Sequence, residues 1–185
     1  MQISRSRLDG YVFCSQEPYC KKILRDFAKH IKGRKPVSTP GDGNKKLSKE
    51  QCVEVEPGQD TAFPLASAVG ALLYLARQTR PDISYAVAIV SRYVKAPGPE
   101  HWEAAMRIFC YLIKPTHYRI RLGGSHAILY AYGDANLAGD CGGKTDSHQS
   151  MSGSIYFLAD GPIEWGANTQ KPVALSTLAA EATAM

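Results

Sequence analysis

The sequence predicts an α+β fold, because the spacing of its apolar residues changes along the chain. The beginning and the end alternate at a period of two around turn dipeptides, while the middle carries three apolar stripes at helical spacing. Proline- and glycine-rich breaks at about residues 33–59 and at Lys114-Pro115 separate these stretches. The expected order is an N-terminal β-hairpin and basic helix (residues 1–58), a central three-helix subdomain (59–117) and a C-terminal antiparallel sheet closed by a short helix (118–185).

Each element has a local reason. Met1–Arg5 and Tyr11–Cys14 flank Leu8-Asp9-Gly10, and Asp-Gly is a strong hairpin signal. Ser15 then caps a helix over Glu17–Lys32 that has an acid in its first turn. Cys20, Ile23, Leu24, Phe27 and Ile31 form its apolar side. In the middle, Val69, Leu72, Leu73 and Ala76 mark one helix. Thr79-Arg80-Pro81-Asp82 has the form of a capping box for a second helix with Ile83, Ala86, Val87, Val90 and Val94 inward. Pro99 suits the first turn of a third, with Trp102, Ala105, Met106, Phe109, Leu112 and Ile113 inward. Strands are expected over Tyr118–Leu122, Ala127–Tyr132, Ser154–Leu158 and Pro162–Gly166, the last two joined through Asp160-Gly161. Leu175–Met185 reads as a helix capped by Ser176 or Thr177.

Composition narrows the classes. Hydrophobic (44%) and charged (21%) fractions are those of an ordinary globular chain, not of a disordered one. No apolar run reaches the roughly 20 residues of a membrane span, and Met1–Arg7 has no signal-peptide core, so an intracellular protein is expected. Five cysteines (Cys14, Cys20, Cys52, Cys110, Cys141) at irregular spacing suggest reduced thiols, not a zinc site or disulfide frame. The charge is uneven: residues 1–58 hold 12 lysines and arginines against 7 acids, and residues 59–185 hold 10 against 10. A polyanionic partner for the N-terminal third follows naturally from that imbalance.

Lys21, Arg25, Lys29 and Lys32 form a stripe on the first helix, with Lys22 beside it. Such a stripe would neutralise backbone phosphates, and it would equally serve as a plain solvated face. Two carboxylates stand out by position. Asp134 follows the apolar run Ile128–Tyr132 in a strand, and Glu181 lies one turn into the last helix. Facing each other they could hold Mg²⁺, which takes hard oxygen ligands, but Asp140, Asp146 and Asp160 are equally available acids.

A series of short matches, in order, resembles the Pol polyprotein of copia-type long-terminal-repeat retrotransposons over nearly the whole chain. They are Ser15-Gln16, Tyr19, Ile23-Leu24, Lys35-Pro36-Val37-Ser38-Thr39-Pro40, Leu47-Ser48-Lys49, Ala68–Ala76 and Thr79-Arg80-Pro81-Asp82-Ile83. Glu100-His101-Trp102, Gly133-Asp134-Ala135, Ala138-Gly139-Asp140, Gly161-Pro162-Ile163-Glu164-Trp165, Val173–Ser176 and Ala180-Glu181 complete the series. The resemblance implies a reverse transcriptase thumb-like segment and linker in residues 1–58 and a helical connection subdomain in 59–117. It also implies a truncated ribonuclease H-like domain in 118–185, a partial antiparallel sheet with a shortened helix. By motif, Asp134 and Glu181 match the first two of four catalytic acids that hold two Mg²⁺ ions. One ion would activate water and the other would stabilise the leaving oxygen, the substrate being an RNA–DNA hybrid. The two later acids are expected beyond Met185.

The departures from the family pattern are local. Asn136-Leu137 stands where the family commonly has Asp-Trp, Ala179 where an acid is common, and Ala182 where an aromatic is usual. No Tyr/Phe-x-Asp-Asp run occurs anywhere in the chain. The expectation is a catalytically incompetent Pol fragment that at most binds nucleic acid. The alternatives are a working ribonuclease H completed by downstream sequence and a host-adopted binding module.

Overall fold

The computed structural model describes residues 1–54, 63–124, 127–137, 149–171, 173–174 and 176–184. The elements in chain order are β1 (Gln2–Arg5), β2 (Val12–Ser15), α1 (Glu17–Asp26), α2 (Ala28–Ile31), α3 (Leu65–Gln78), α4 (Ser84–Ser91), α5 (Pro99–Leu112), β3 (Arg119–Leu122), β4 (Leu129–Asn136), β5 (Met151–Leu158), β6 (Gly161–Thr169) and α6 (Thr177–Ala184). The expected α+β class holds: helices stand beside two antiparallel sheets of order β1-β2-β3 and β4-β5-β6. Asp140, Asp146, Cys141, Leu175 and Met185 lie outside the described residues, as do residues 55–59 of the expected linker.

The core forms where the three apolar stripes meet. Leu65, Ala68, Val69, Leu72, Leu75 and Ala76 are buried along α3 at helical spacing, and Ala86, Val87 and Val90 along α4. On α5 the buried set includes Trp102, Ala105, Met106, Phe109 and Leu112. Ile108 joins them, whereas the expected Ile113 is 36% exposed because it lies past the last turn. Each such aliphatic or aromatic side chain contributes about 1.5–3 kcal/mol through burial. Helices α1 and α2 cover the core with Cys20 and Ile23, and Phe27 stacks on Phe109 at 4.6 Å between centroids.

Local signals that competed with packing came out differently. Thr79 does not cap α4. It ends α3, and its hydroxyl donates to the Gln16 side chain at 2.8 Å. Asp82 instead holds the buried Arg80 guanidinium through two hydrogen bonds of 2.8 and 2.7 Å, while Arg80 also donates to the Pro115 carbonyl. Tyr111 donates to the same carboxylate, and burial together with that bond pushes its hydroxyl up to about 12. The last hairpin turns at Ala159 and Asp160, both at positive φ (49° and 62°), so Gly161 is a strand residue and not part of the turn. Gly161 is needed there for another reason. A Cβ would sit 2.9 Å from the Arg121 carbonyl oxygen, where β3 crosses close to β6.

Strand β3 shows the largest difference from the sequence expectation. It pairs with β2 in the register Val12↔Leu122 to Ser15↔Arg119, and so completes the N-terminal sheet instead of starting the C-terminal one. Buried Ile120 opposite Cys14, and Arg119 over the Phe13 ring at 4.0 Å, supply the cross-strand contacts. The C-terminal sheet docks on the helices through Trp165, whose Nε1 donates to the Ala76 carbonyl at 2.6 Å.

The start of α5 has little room. Fully buried His101 accepts the Gly98 amide at Nδ1 (2.9 Å), so Nε2 carries the proton and donates to the Ser48 carbonyl (3.1 Å). A Cβ on Gly98 would fall 1.8 Å from the Gln51 carbonyl oxygen. Gly98→Ala is expected to lower stability in urea unfolding by about 1–3 kcal/mol. Gly70→Ala, on an exposed helix position with nothing within 4 Å, should raise it by about 0.5–1 kcal/mol. Asp82→Asn leaves the Arg80 charge uncompensated and should cost about 3–5 kcal/mol by the same measurement.

Candidate nucleic-acid interface and acidic pair

The N-cap of the basic helix is Gln16, not the expected Ser15, and it makes no side-chain cap bond; Ser15 Oγ accepts the Glu17 amide at 3.1 Å from one residue earlier, and Pro18 sits in the first turn. The single helix expected over residues 17–32 is split at Phe27. There φ is −97° and ψ 11°, and His30 N–H donates back to the Phe27 carbonyl in a tighter turn. Lys21, Lys22, Arg25, Lys29 and Lys32 are all exposed, but they are not equivalent. Lys21 pairs with Glu17 at 2.6 Å and Lys22 with Asp26 at 2.9 Å. Hydrogen bonding to Asp26 raises the Lys22 ammonium, and the bond from Lys21 holds the Glu17 carboxyl low. Arg25, Lys29 and Lys32 form no ion pair among the described residues.

A second cationic surface lies on the neighbouring sheet and was not singled out from the sequence. Arg119 covers Phe13 at 4.0 Å and Arg121 covers Tyr11 at 4.6 Å, both on one face of β2–β3. The signal was present: Arg-x-Arg at strand period places both guanidinium groups on the same side.

The two predicted metal ligands land on the expected elements. Asp134 is an exposed residue of β4, and Glu181 is a half-buried residue of α6. The end of helix α6 comes close to β4 on the side of Gly133. A Cβ on Gly133 would meet the Ala184 carbonyl at 3.3 Å. Gln170 bridges Ala180 O (2.8 Å) to Ser152, the residue opposite Ala135. Strand alternation turns Asp134 to the other face, the one that packs on α3 and α4 through Trp165 and through Asn136, whose amide reaches the Tyr85 hydroxyl at 3.5 Å. Mg²⁺ needs several oxygen ligands converging on one point, and Asp134 and Glu181 are the two acids that the resemblance offers. Among the described residues no three His, Cys, Asp or Glu side chains cluster as metal ligands.

Comparison with known proteins supplies the lineage. The chain is 43% identical over 183 residues (98% of its length) to the retrovirus-related Pol polyprotein from transposon TNT 1-94 of Nicotiana tabacum. It is 38% identical over 181 residues (97%) to the Pol polyprotein from transposon RE2 of Arabidopsis thaliana. This chain belongs to the Pol polyproteins of copia-type retrotransposons.

The Pol segment spans 13% and 12% of the lengths of those two relatives. A shorter relative, the secreted RxLR effector protein 161 of Plasmopara viticola, is 38% identical over 115 residues, covering 62% of this chain and 78% of its own length. No protein-family model and no solved structure matches. No helix among the described residues is long and apolar enough to cross a membrane.

Several residues that carry the Pol resemblance have structural tasks in the segment. Arg80 and Asp82 form the buried clasp, and His101 pins the start of α5 to Ser48. Ser176 Oγ accepts the Ala179 amide at 3.2 Å, half of a capping box whose acidic partner is replaced by Ala179. Two carboxylates are half of the four-acid set that the resemblance implies, and two ligands hold Mg²⁺ weakly. Millimolar Mg²⁺ should shift the melting temperature of the segment by less than about 1 °C, since a ligand stabilises only in proportion to its occupancy. Asp134→Asn should leave that response unchanged. A clear Mg²⁺ stabilisation lost in both Asp134→Asn and Glu181→Gln would show that the carboxylates do converge.

Proposed function

We propose that the Pol segment is a nucleic-acid-binding element that contacts the backbone of an RNA–DNA hybrid through α1 and α2, and that it performs neither polymerisation nor hydrolysis by itself. The observation that carries the binding half is the set Arg25, Lys29 and Lys32. These cations are exposed, unpaired among the described residues, and project from helices whose other side is held by Cys20, Ile23 and Phe27. Unpaired cations gain most from phosphate contact, because no local pair must be broken first. Lys21 and Lys22 belong to the same surface but begin already neutralised by Glu17 and Asp26.

The second half is supported by two facts about the chain. It contains no Tyr/Phe-x-Asp-Asp run that could hold metals for nucleotide addition. Asp134 and Glu181 match two of the four acids that the resemblance implies, and among the described residues no three His, Cys, Asp or Glu side chains cluster as metal ligands.

Fluorescence anisotropy with a labelled RNA–DNA hybrid across a salt series tests the binding. Arg25→Gln/Lys29→Gln/Lys32→Gln should weaken the complex strongly at low salt and flatten the salt dependence by up to about 2–3 units of slope, close to one per lost phosphate contact. Lys21→Gln/Lys22→Gln should do less on both counts. Equal effects from the two variants, or none from the first, would remove the helix from the interface. Incubation of the hybrid with Mg²⁺ and the segment should give no cleavage; cleavage that vanishes in Asp134→Asn would refute the inactive reading.

A further inference from the structure

A cleft of about 820 Å³ lies between α4, α5 and the strap of residues 34–47, with Tyr85 and Asn136 at its edge. Small-molecule sites occupy roughly 300–1,000 Å³, so its size suits a compact ligand and not a helix or a duplex. The floor is apolar: half-buried Ile89 of α4 and Ala104 of α5 face the cleft, backed by the buried Val90 and Ile108. Cys110 also lines it, and burial pushes that thiol up, which keeps the floor uncharged.

The strap forming the other wall is pinned rather than collapsed. Arg34 grips Glu103 through two hydrogen bonds of 2.5 and 2.7 Å, and Arg107 donates to Gly41 O and Thr39 Oγ1, each at 3.1 Å. At its far end the Tyr93 hydroxyl donates to Leu47 O at 3.0 Å. The cleft therefore exists before any ligand arrives.

Its rim is cationic. Lys35, Lys45 and Lys46 line it, and none forms an ion pair among the described residues, although Lys45 lies near enough to Glu103 to help hold its carboxyl low; Arg34 and Arg107 are already matched to Glu103 and Asp42. Glu100 is the one acid of the lining that no such arginine matches. We infer that this cleft binds an amphipathic anion, an apolar body on the Ile89–Ala104–Ile108 floor with a carboxylate, sulfonate or phosphate head among the three lysines. A neutral apolar molecule would leave the lysines unmatched, and a bare sugar–phosphate backbone would leave the floor wet. The site is independent of the hybrid-binding surface and stands or falls separately from it.

Anilinonaphthalene sulfonate, an apolar ring system with one anionic head, is a direct probe. Titrated into the full chain, it should fluoresce on binding, be displaced by dodecanoate, and be displaced much less by dodecanol. Lys45→Glu/Lys46→Glu, two exposed positions that leave packing untouched, should weaken the probe by about tenfold or more through loss of charge complementarity. Ala104→Trp should block it by filling the floor, with the unfolding midpoint checked in parallel. Unchanged binding in the lysine variant, or equal displacement by dodecanol, overturns the inference. So does loss of the signal in Leu129→Ser/Leu178→Ser, which would move the probe to the exposed apolar residues of the C-terminal sheet and α6.

Discussion

A charge buried at a chain crossing sets the arrangement of the Pol segment. The Arg80 side chain is 3% exposed, and a guanidinium that deep is tolerable only when its donors are satisfied. Asp82 takes two of them and the Pro115 carbonyl a third, while the Tyr111 and Tyr118 rings lie over it at 5.8 and 5.3 Å. These partners come from the α3–α4 turn, the end of α5 and the segment leading to β3. Satisfying one cation therefore fixes how the chain leaves α5, and that exit delivers β3 to the edge of β2. Both sheets then hang from the same helical core, one through β3 and α1, the other through Trp165.

The same arithmetic of paired and unpaired charge runs through the surface. Glu17 and Asp26 stand at i,i+4 positions to Lys21 and Lys22, a spacing worth only a few tenths of a kcal/mol in an exposed helix. Those pairs steady α1 slightly, yet they also divide a stripe of like residues into a neutralised half and an available half. Counting lysines along a helix overstates a binding face unless the acids one turn away are counted with them. In the cleft the logic repeats: two arginines hold the strap in place and three lysines are left facing solvent.

The helices were legible because period and burial agree. The stripes of α3, α4 and α5 were read almost residue for residue, since an apolar face at 3.6 spacing has one way to be buried. The β5–β6 hairpin was legible in the same way, although the turn fell one residue earlier, on Ala159-Asp160. What escaped was decided by partners distant in sequence. Thr79 and Asp82 have capping-box spacing, but Gln16 and Arg80 offered buried partners that outweigh a local cap. Phe27 breaks the basic helix where its ring stacks on Phe109. Strand β3 looked like the start of the C-terminal sheet, because nothing within Tyr118–Leu122 says which sheet edge is vacant. For the site, the elements bearing Asp134 and Glu181 were read correctly, while the side from which α6 would approach the sheet was not encoded in either motif.

That side is a consequence of residue size. Gly133 is exposed, yet a Cβ there would meet the Ala184 carbonyl of α6 at 3.3 Å, while Ala180 of the same helix is fully buried. The alternate strip carries Tyr132, Asp134 and Asn136, and its helical neighbours are already α3 and α4. Bringing Asp134 under α6 would need a one-residue slip of β4 against β5. Such a slip would turn Gly133 and Ala135 to the opposite face and bring Tyr132 to theirs, so the register of β4 against β5 decides which side chains of β4 meet α6.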